Sequence, residues 1–290
     1  MQLSLLPTIL RELTCARSLP REPEPALVME EEEQVKAYAL AGRIDGVMAS
    51  AYLFHTAHVS AVISGCRTAL DLGCGPATQL AQIAEFNPDV HFTGIDLSPR
   101  MLADAAAHIN ERRISNVTLA RDNIARLESI ADSSTDAVIS TMALHHLPAL
   151  ADLKSCFGQI KRVLKPGGAL YIADFGRLKS LKSVIFFAYL NRRHQPHIFS
   201  LDYERSLRAA FLPEDLRICA SQELPRDIEV FSTFLLPILV VIKTPDRGVR
   251  DDQCQRLRAM RKELKRRYRS DLDEMRRFFR LGGMKNDPFS

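Results

Sequence analysis

The clearest chemical signal in the chain is a glycine-rich turn that follows an apolar run ending in an acid. In TALDLGCGPATQLAQIA, residues 68–84, Asp71 ends the apolar run, and Gly73, Cys74 and Gly75 follow it. Two close glycines let the backbone approach a ligand that any Cβ would exclude, and a helix behind them presents free N–H groups. The pattern predicts a ligand site at the carboxyl ends of parallel strands, where open α/β sheets bind their ligands.

A second acid ends the next apolar run. HFTGIDLSPRMLADA, residues 91–105, predicts a strand that ends at Asp96 and a helix with Ser98 as its N-cap. A carboxylate at the end of this strand can accept both hydroxyls of a ribose in charge-assisted hydrogen bonds. Thr78 stands where a Gly-x-Gly-x-x-Gly fingerprint has its third glycine, which weakens the interpretation as a nicotinamide-binding site.

Two histidines follow a further strand-like segment. DAVISTMALHHLPAL, residues 136–150, begins with the predicted strand DAVIST and continues to His145 and His146. Imidazole exchanges a proton near neutral pH, so His146, and after it His145, are candidate catalytic bases. The alternative is that one histidine packs in the core and the other shapes the floor of the site.

In the order of these motifs, the chain resembles the class I S-adenosylmethionine (SAM)-dependent methyltransferases. DLGCGPATQLAQIA matches their first motif, and MALHHL is similar to a segment of the ubiquinone- and menaquinone-biosynthesis type. LKPGG, residues 164–168, matches their helix-to-strand turn. The resemblance spans about residues 38–244. It implies a small-molecule biosynthetic transferase that moves a methyl group from SAM to its acceptor.

The resemblance also implies which residues hold SAM. Asp96 would bind the ribose, and Leu97 would pack on the adenine, with Met101 facing the same ring. Asp122 and Asn123 would meet the adenine edge, although an Asp-Asn pair is also ordinary loop chemistry. Tyr38 lies in a predicted helix before the core and would contact SAM; the alternative is that it is a half-buried tyrosine of the core. The remaining cofactor candidates are Tyr38, Asp71, Gly73, Cys74, Gly75 and Thr141.

These motifs need a scaffold, and the chain alternates strand-like and helix-like segments. This alternation predicts an α/β fold with a doubly wound parallel sheet. The resemblance implies a seven-stranded, mostly parallel sheet of the Rossmann-like methyltransferase type that ends in an antiparallel hairpin. We expect strands at 68–73, 91–96, 117–120, 136–141, 168–174, 229–233 and 237–244, and helices near 77–86, 99–111 and 149–164.

The chain divides into three parts around this core. Residues 1–64 are predicted to be a helical extension, with a short helix at 2–15, a proline-rich linker at 19–25 and further helix from 27 to 64. Residues 65–244 are predicted to be the SAM-binding core, and residues 245–290 a basic tail that forms one long amphipathic helix. Within the core, residues 175–226 break the alternation with helical pieces, and we interpret them as a lid over the site. The candidate substrate contacts in this lid segment are Tyr189, His194, His197 and Tyr203.

Composition narrows the classes of function. The net charge of +4 is only mildly basic and does not by itself indicate nucleic acid. The six cysteines are scattered without a C-x-x-C pair, which predicts reduced thiols in a cytoplasmic protein and no metal site. The apolar run 231–242 is too short to span a membrane. The apolar face of the tail would dock on the chain's own core or, in a homodimer, on a second subunit.

Three other functions stay open. The basic stretch 255–269 would suit an RNA or protein substrate, but it lacks the aromatic interleaving that stacks bases. A nicotinamide oxidoreductase would need a Tyr-x-x-x-Lys pair, whereas Tyr189 is followed four residues later by Arg193. A catalytically silent SAM-binding platform would use the terminal helices as its interface.

Overall fold

The computed structural model describes residues 5–25 and 46–290. A single seven-stranded sheet lies at its centre, in the order β3-β2-β1-β4-β5-β7-β6. The first five strands run parallel, and β7 is antiparallel to both β5 and β6. The predicted sheet and its closing hairpin are therefore confirmed. The strands are β1 (Thr68–Leu72), β2 (His91–Asp96), β3 (Val117–Arg121), β4 (Thr135–Thr141), β5 (Leu164–Phe175), β6 (Glu229–Ser232) and β7 (Leu239–Lys243).

Helices cover both faces of this sheet, as the doubly wound pattern requires. The strand order reverses between β1 and β4, which opens a crevice at the carboxyl ends of these two strands. The described helices are α1 (Leu6–Thr14), α2 (Ala49–Val62), α3 (Thr78–Phe86), α4 (Pro99–Glu111), α5 (Leu150–Val163), α6 (Leu181–Tyr189), α7 (His197–Ala209), α8 (Pro213–Glu223), α9 (Asp251–Glu263) and α10 (Arg266–Leu281).

The C-terminal tail packs on the chain's own core. It forms two helices rather than the one long helix that its spacing predicts, because Leu264 and Lys265 take extended backbone angles between α9 and α10. Leu272 and Phe279 are buried in the same core as α2, where the ring of Phe279 stacks on Phe54 with centroids 5.1 Å apart. The apolar face that suggested a docking surface is thus used within the chain.

Helix α2 buries two histidines in this core. Nδ1 of His55 lies 2.8 Å from the hydroxyl of Tyr171. The ring of His58 lies against Phe54, and neither of its nitrogens has a hydrogen-bond partner among the described residues. Burial lowers the pKa of His55 to about 4 and that of His58 to about 3. Both imidazoles are therefore neutral at physiological pH.

Three further boundaries differ from the sequence prediction. Helix α3 begins at Thr78 because Ala77 takes a left-handed conformation, with φ 57°. Strand β5 begins at Leu164, the first residue of LKPGG, and not at residue 168, since Leu164 already pairs with Thr135 of β4. Helix α8 packs on α5 in the second core layer, so within the lid segment only α6 and α7 lie over the cavity described below. The helix expected between 27 and 64 is described only from residue 49.

The N-terminal segment crosses the carboxyl edge of the sheet. Helix α1 confirms the short helix expected there. The strap, which we define as residues 15–25, continues from it, and Arg21 of the strap stacks over the ring of Phe211 at 4.0 Å. The Arg21 guanidinium donates hydrogen bonds to the backbone carbonyls of His145, Leu147, Pro148 and Ala209. Within residues 5–25 and 46–290, no helix has the length and apolar character needed to cross a membrane.

Candidate functional site

A cavity of about 1100 Å³ lies at the carboxyl ends of β1, β2 and β4. The sheet edge supplies its floor, and α6, α7 and α10 contribute further walls. Tyr38, the remaining cofactor candidate, lies outside the described residues. All ten other predicted cofactor residues line the cavity: Asp71, Gly73, Cys74, Gly75, Asp96, Leu97, Met101, Asp122, Asn123 and Thr141.

The turn after β1 has a geometry that favours glycine. Gly73 and Gly75 have φ values of +75° and +52°, where a side chain is strained. A Cβ on Gly73 would also lie 2.4 Å from the Cβ of Ala143. The N–H groups of Gly73 and Cys74 donate to the carbonyl of Ile95 at 2.8 and 2.9 Å, which ties the turn to β2.

The Asp96 carboxylate is fixed in place by backbone donors. One oxygen accepts the N–H of Gly75 and the other accepts the N–H of Ser98, both at 2.9 Å. Ser98, not Asp96, caps helix α4, because its hydroxyl accepts the N–H of Met101 at 3.2 Å. Each carboxylate oxygen has a second lone pair, so Asp96 can still accept hydrogen bonds from a diol.

Asp71 is a buried carboxyl group in the same wall, with 3% of its surface exposed. Burial, and secondarily the nearby charge of Asp96, raises the pKa of Asp71 to about 7. A carboxylate held this way is stabilised by any cation that enters the cavity. The pair of acids therefore suits a ligand that carries both a diol and a positive charge.

Asp122 is engaged within its own loop. One oxygen accepts the N–H of Asn123 at 2.7 Å, and the other accepts the N–H and the hydroxyl of Ser129 at 2.8 and 2.5 Å. The side-chain oxygen of Asn123 accepts the N–H of Ala125. These contacts match the loop interpretation, and contact of either residue with an adenine stays a prediction.

The two histidines lie in a one-turn 3-10 helix, Leu144–His146, that follows β4. Asp174, in β5, holds this turn: one of its oxygens accepts the N–H groups of Leu144 and His145 at 2.5 and 3.2 Å. Its other oxygen lies 2.7 Å from Nδ1 of His145. His145 is buried, and His146 is partly exposed to the cavity.

Glu24 of the strap is the second acid beside this turn. One of its oxygens lies 3.0 Å from Nδ1 of His146, and the other lies 3.9 Å from Nε2 of His145. Burial alone would raise the pKa of Glu24, but its hydrogen bond to His146 and the charges of both histidines outweigh this effect and lower it to about 2. Burial likewise opposes the charged form of His146, yet Glu24 raises the pKa of that imidazole overall.

Neither acid was singled out as a site residue from the sequence. Asp174 ends a strand next to β4, so strand adjacency could have indicated it. The sequence did not indicate a role for Glu24. The proline-rich linker at 19–25 predicts an extended chain, but it does not predict which part of the fold that chain contacts.

Of the four predicted substrate contacts, Tyr189, His194 and Tyr203 line the cavity. His197 does not line the cavity: it begins helix α7 and is exposed, and its contact with a substrate stays a prediction. The sequence also missed much of the apolar wall, because distant segments supply it. These residues are Leu5, Ile185, Phe186, Leu190, Leu236, Met275 and Phe278.

Sequence comparison relates this chain to known methyltransferases. Residues 64–202 match a family model described as a methyltransferase domain. The chain is 35% identical over 128 residues to phosphoethanolamine N-methyltransferase 2 of Caenorhabditis elegans, which covers 44% of this chain and 28% of that protein. It is 35% identical over 106 residues to demethylmenaquinone methyltransferase of Listeria welshimeri, with 36% and 43% covered. The chain thus spans less than half the length of either curated relative.

Solved structures agree on the fold. A SAM-dependent methyltransferase from Aquifex aeolicus superposes with a TM-score of 0.52 at 15% identity, and the match covers 74% of this chain and 98% of that one. Motifs, sheet order and domain match agree, and all three support a class I SAM-dependent methyltransferase family for residues 64–202, the part of the chain that the family model matches.

Proposed function

We propose that the protein transfers a methyl group from SAM to a small-molecule acceptor. One observation carries the proposal: Asp71, the glycine turn and Asp96 share a single cavity with His145 and His146. The acids suit a nucleoside with a cationic end, and the histidines suit proton transfer at the other end. Two of the curated relatives are named for small-molecule substrates, which supports the same class of acceptor.

The described residues fit SAM on chemical grounds. Asp96 would accept the ribose hydroxyls, and Asp71 would face the ammonium group. Leu97 and Met101 offer apolar contact to the adenine. When bound, SAM supplies a sulfonium that makes its methyl group an electrophile.

The chain's remaining task is to position the acceptor and exclude water. An acceptor lone pair must approach the methyl carbon in line with the carbon–sulfur bond, at roughly 3–3.5 Å. The apolar wall from α6 and α10 would bury the acceptor. If the acceptor carries a proton, His146 would take it on the ring nitrogen that does not face Glu24, while the electrons of the broken bond stay on sulfur.

The domain organisation has a proposed role in this scheme. The core of 65–244 would bind SAM, whereas the N-terminal extension and the tail would complete the acceptor side of the cavity. Leu5 and Phe278 support this arrangement, since both line the cavity from outside the core.

The structure gives little support to an RNA substrate bound by the basic tail. Several tail arginines already pair with acids: Arg261 with Asp273, and Arg276 with Asp273 and Asp287. The apolar face of α10 packs on the chain's own core, which weighs against a platform that would use this helix as an interface.

Calorimetric titration tests the cofactor, with SAM and NAD as parallel ligands. We expect SAM to bind with micromolar affinity and NAD not to bind. Methyl transfer is then followed with isotopically labelled SAM and a cell extract divided into small molecules, RNA and protein. Label in the small-molecule fraction supports the proposal. No SAM binding at millimolar concentration, or label only in a macromolecular fraction, would overturn it.

A further inference from the structure

Three ligand-type side chains converge beside the cavity, and two of them come from a turn that the proposed reaction uses. Glu24, His145 and His146 each offer one ligand atom, and these atoms lie within 4.8 Å of one another. Within the described part of the chain, this is the one cluster of three or more histidine, cysteine or acidic side chains with such spacing. It contains no cysteine, so the scattered cysteines gave no hint of it.

The spacing suits a small divalent ion. Zinc binds imidazole nitrogen and carboxylate oxygen at about 2.0–2.2 Å in tetrahedral geometry, which places neighbouring ligand atoms roughly 3.3 Å apart. Glu24 lies 3.0 Å from Nδ1 of His146 and 3.9 Å from Nε2 of His145. These two separations bracket the tetrahedral edge, so small side-chain shifts would admit the ion.

A second carboxylate prepares one of the ligands. Asp174 lies 2.7 Å from Nδ1 of His145, which places the proton on that nitrogen and leaves the lone pair of Nε2 directed toward the Glu24 side. A histidine that binds a metal usually gives its other ring N–H to such a group. The carboxylate of Asp174 is itself held by the N–H groups of Leu144, His145 and Phe175.

The third ligand is also fixed. Ser206 of α7 donates to Glu24 at 2.9 Å. Arg21, three residues earlier in the strap, is bound to the carbonyls of His145 and Leu147. Glu24 is thereby tethered to the turn that carries both histidines.

We propose that Glu24, His145 and His146 bind a divalent transition-metal ion of the zinc type, with Asp174 orienting His145. Three protein ligands leave the fourth tetrahedral position free, as in catalytic zinc sites. Both histidines line the cavity, so that position would border the space for the acceptor. Metal binding itself does not depend on the proposed methyl transfer.

The role of the ion does rest on the proposed function. An acceptor oxygen or sulfur bound at the free position would lose its proton to solvent, because the cation stabilises the anionic form. The anion's lone pair would then form the bond to the methyl carbon as the carbon–sulfur bond breaks toward sulfur. In this arrangement, His146 gives its lone pair to the ion and is not the base.

Titration of tag-free, chelator-treated protein with ZnCl₂ tests the site. Cys15 and Cys254 are the partly exposed thiols among the six cysteines, so the background carries Cys15→Ser and Cys254→Ser. We expect one Zn²⁺ per chain. Glu24→Gln and His146→Asn should each weaken binding at least tenfold, and Asp174→Asn about 10- to 100-fold. His197→Asn, which changes an exposed histidine outside the cavity, is the matched control and should bind like the background protein.

Co²⁺ gives a second readout, because visible d–d absorption reports tetrahedral coordination and should disappear in Glu24→Gln. Circular dichroism of each variant checks that it is folded. Failure of the folded background protein to bind Zn²⁺ would overturn the proposal. So would Zn²⁺ binding by Glu24→Gln and His146→Asn that is as tight as binding by the background protein. SAM titration of the same samples separates the two proposals. Protein that binds SAM but not Zn²⁺ would contradict only the metal site, and protein that binds Zn²⁺ but not SAM would contradict only the proposed function.

Discussion

The carboxylate of Asp174 binds His145 twice, through the imidazole Nδ1 at 2.7 Å and through the backbone N–H at 3.2 Å. The two residues belong to neighbouring segments of the sheet edge, since Asp174 lies in β5 and His145 follows β4. This one side chain therefore fixes both the path of the turn and the tautomer of its first histidine.

Replacement of Asp174 tests this relationship through stability. Asp174→Asn keeps the size of the side chain but removes the charge that the backbone donors and the imidazole share, so we expect a loss of about 1–3 kcal/mol in the free energy of unfolding. Urea denaturation measures it. Asp132→Asn is the control, because Asp132 pairs with Arg162 but is 74% exposed, and it should change stability by less than about 0.5 kcal/mol. If both variants lose the same free energy of unfolding, the contacts of Asp174 stabilise the fold no more than an exposed ion pair does.

Asp96 should carry much of the affinity for SAM. Asp96→Ala removes charge-assisted hydrogen bonds to the ribose worth about 1.5–3 kcal/mol, which corresponds to roughly a ten- to hundredfold weaker Kd. Calorimetry with SAM measures the change. Asp104→Ala, which changes a half-exposed acid of α4 that pairs with Arg100, should leave the affinity unaltered. If Asp96→Ala binds SAM as tightly as the native protein, its assignment to the ribose is wrong.

The raised pKa of Asp71 predicts that cofactor affinity depends on pH. Below about pH 7 the carboxyl of the free protein is protonated, and a cationic ligand must displace that proton before it gains a carboxylate partner. Affinity for S-adenosylhomocysteine should therefore rise by roughly tenfold between pH 6 and pH 8. The Asp71→Asn variant should bind S-adenosylhomocysteine more weakly at both pH values, and its affinity should not change between pH 6 and pH 8. A slope that survives in Asp71→Asn would point to another titrating group.

The two buried histidines of α2 predict acid-sensitive stability. Both are neutral in the folded protein, with pKa values of about 4 and 3, whereas an unfolded histidine titrates near 6.5. The unfolded chain therefore binds more protons below pH 6.5, and stability falls as pH falls from 6.5 toward 4. The two groups together should cost roughly 2–3 kcal/mol between pH 7.5 and pH 5.5.

Urea denaturation at these two pH values checks the prediction. His58→Leu should remove about half of the pH dependence and should not lower stability at pH 7.5, because neither ring nitrogen of His58 has a partner among the described residues. His91→Asn replaces an exposed histidine of β2 and should leave the slope unchanged. A native protein that is equally stable at both pH values would contradict the assignment.

The local pattern predicted the parts of the fold that local physics decides. Asp71, Gly73 and Asp96 were found because a strand, a tight turn and a helix leave a signature within a few residues of the chain. The break between α9 and α10 was missed, since the apolar spacing of the tail continues through Leu264, which is buried in the same core as both helices. The spacing of apolar residues predicts which side chains are buried. It does not predict a bend between two helices when the side chains on both sides of the bend stay buried.

The acceptor side of the site depends on contacts between distant segments, and the sequence showed little of it. Glu24 meets His146 across more than a hundred residues, and no spacing rule connects the two. His197 was predicted as a substrate contact of the lid segment, whereas it lies at the exposed start of α7 and does not line the cavity. Tyr189 and Tyr203 reached the cavity because α6 and α7 pack together over it.

The strap contacts the histidine turn and helix α10 lines the cavity, from opposite ends of the chain, although the family match covers only residues 64–202. A fragment trimmed to that match would keep the nucleoside cradle but would lose Glu24 and the wall around Phe278. Under the proposed function, such a minimal fragment would thus be a poor guide to the acceptor, because it would lack part of the wall proposed to bury that molecule.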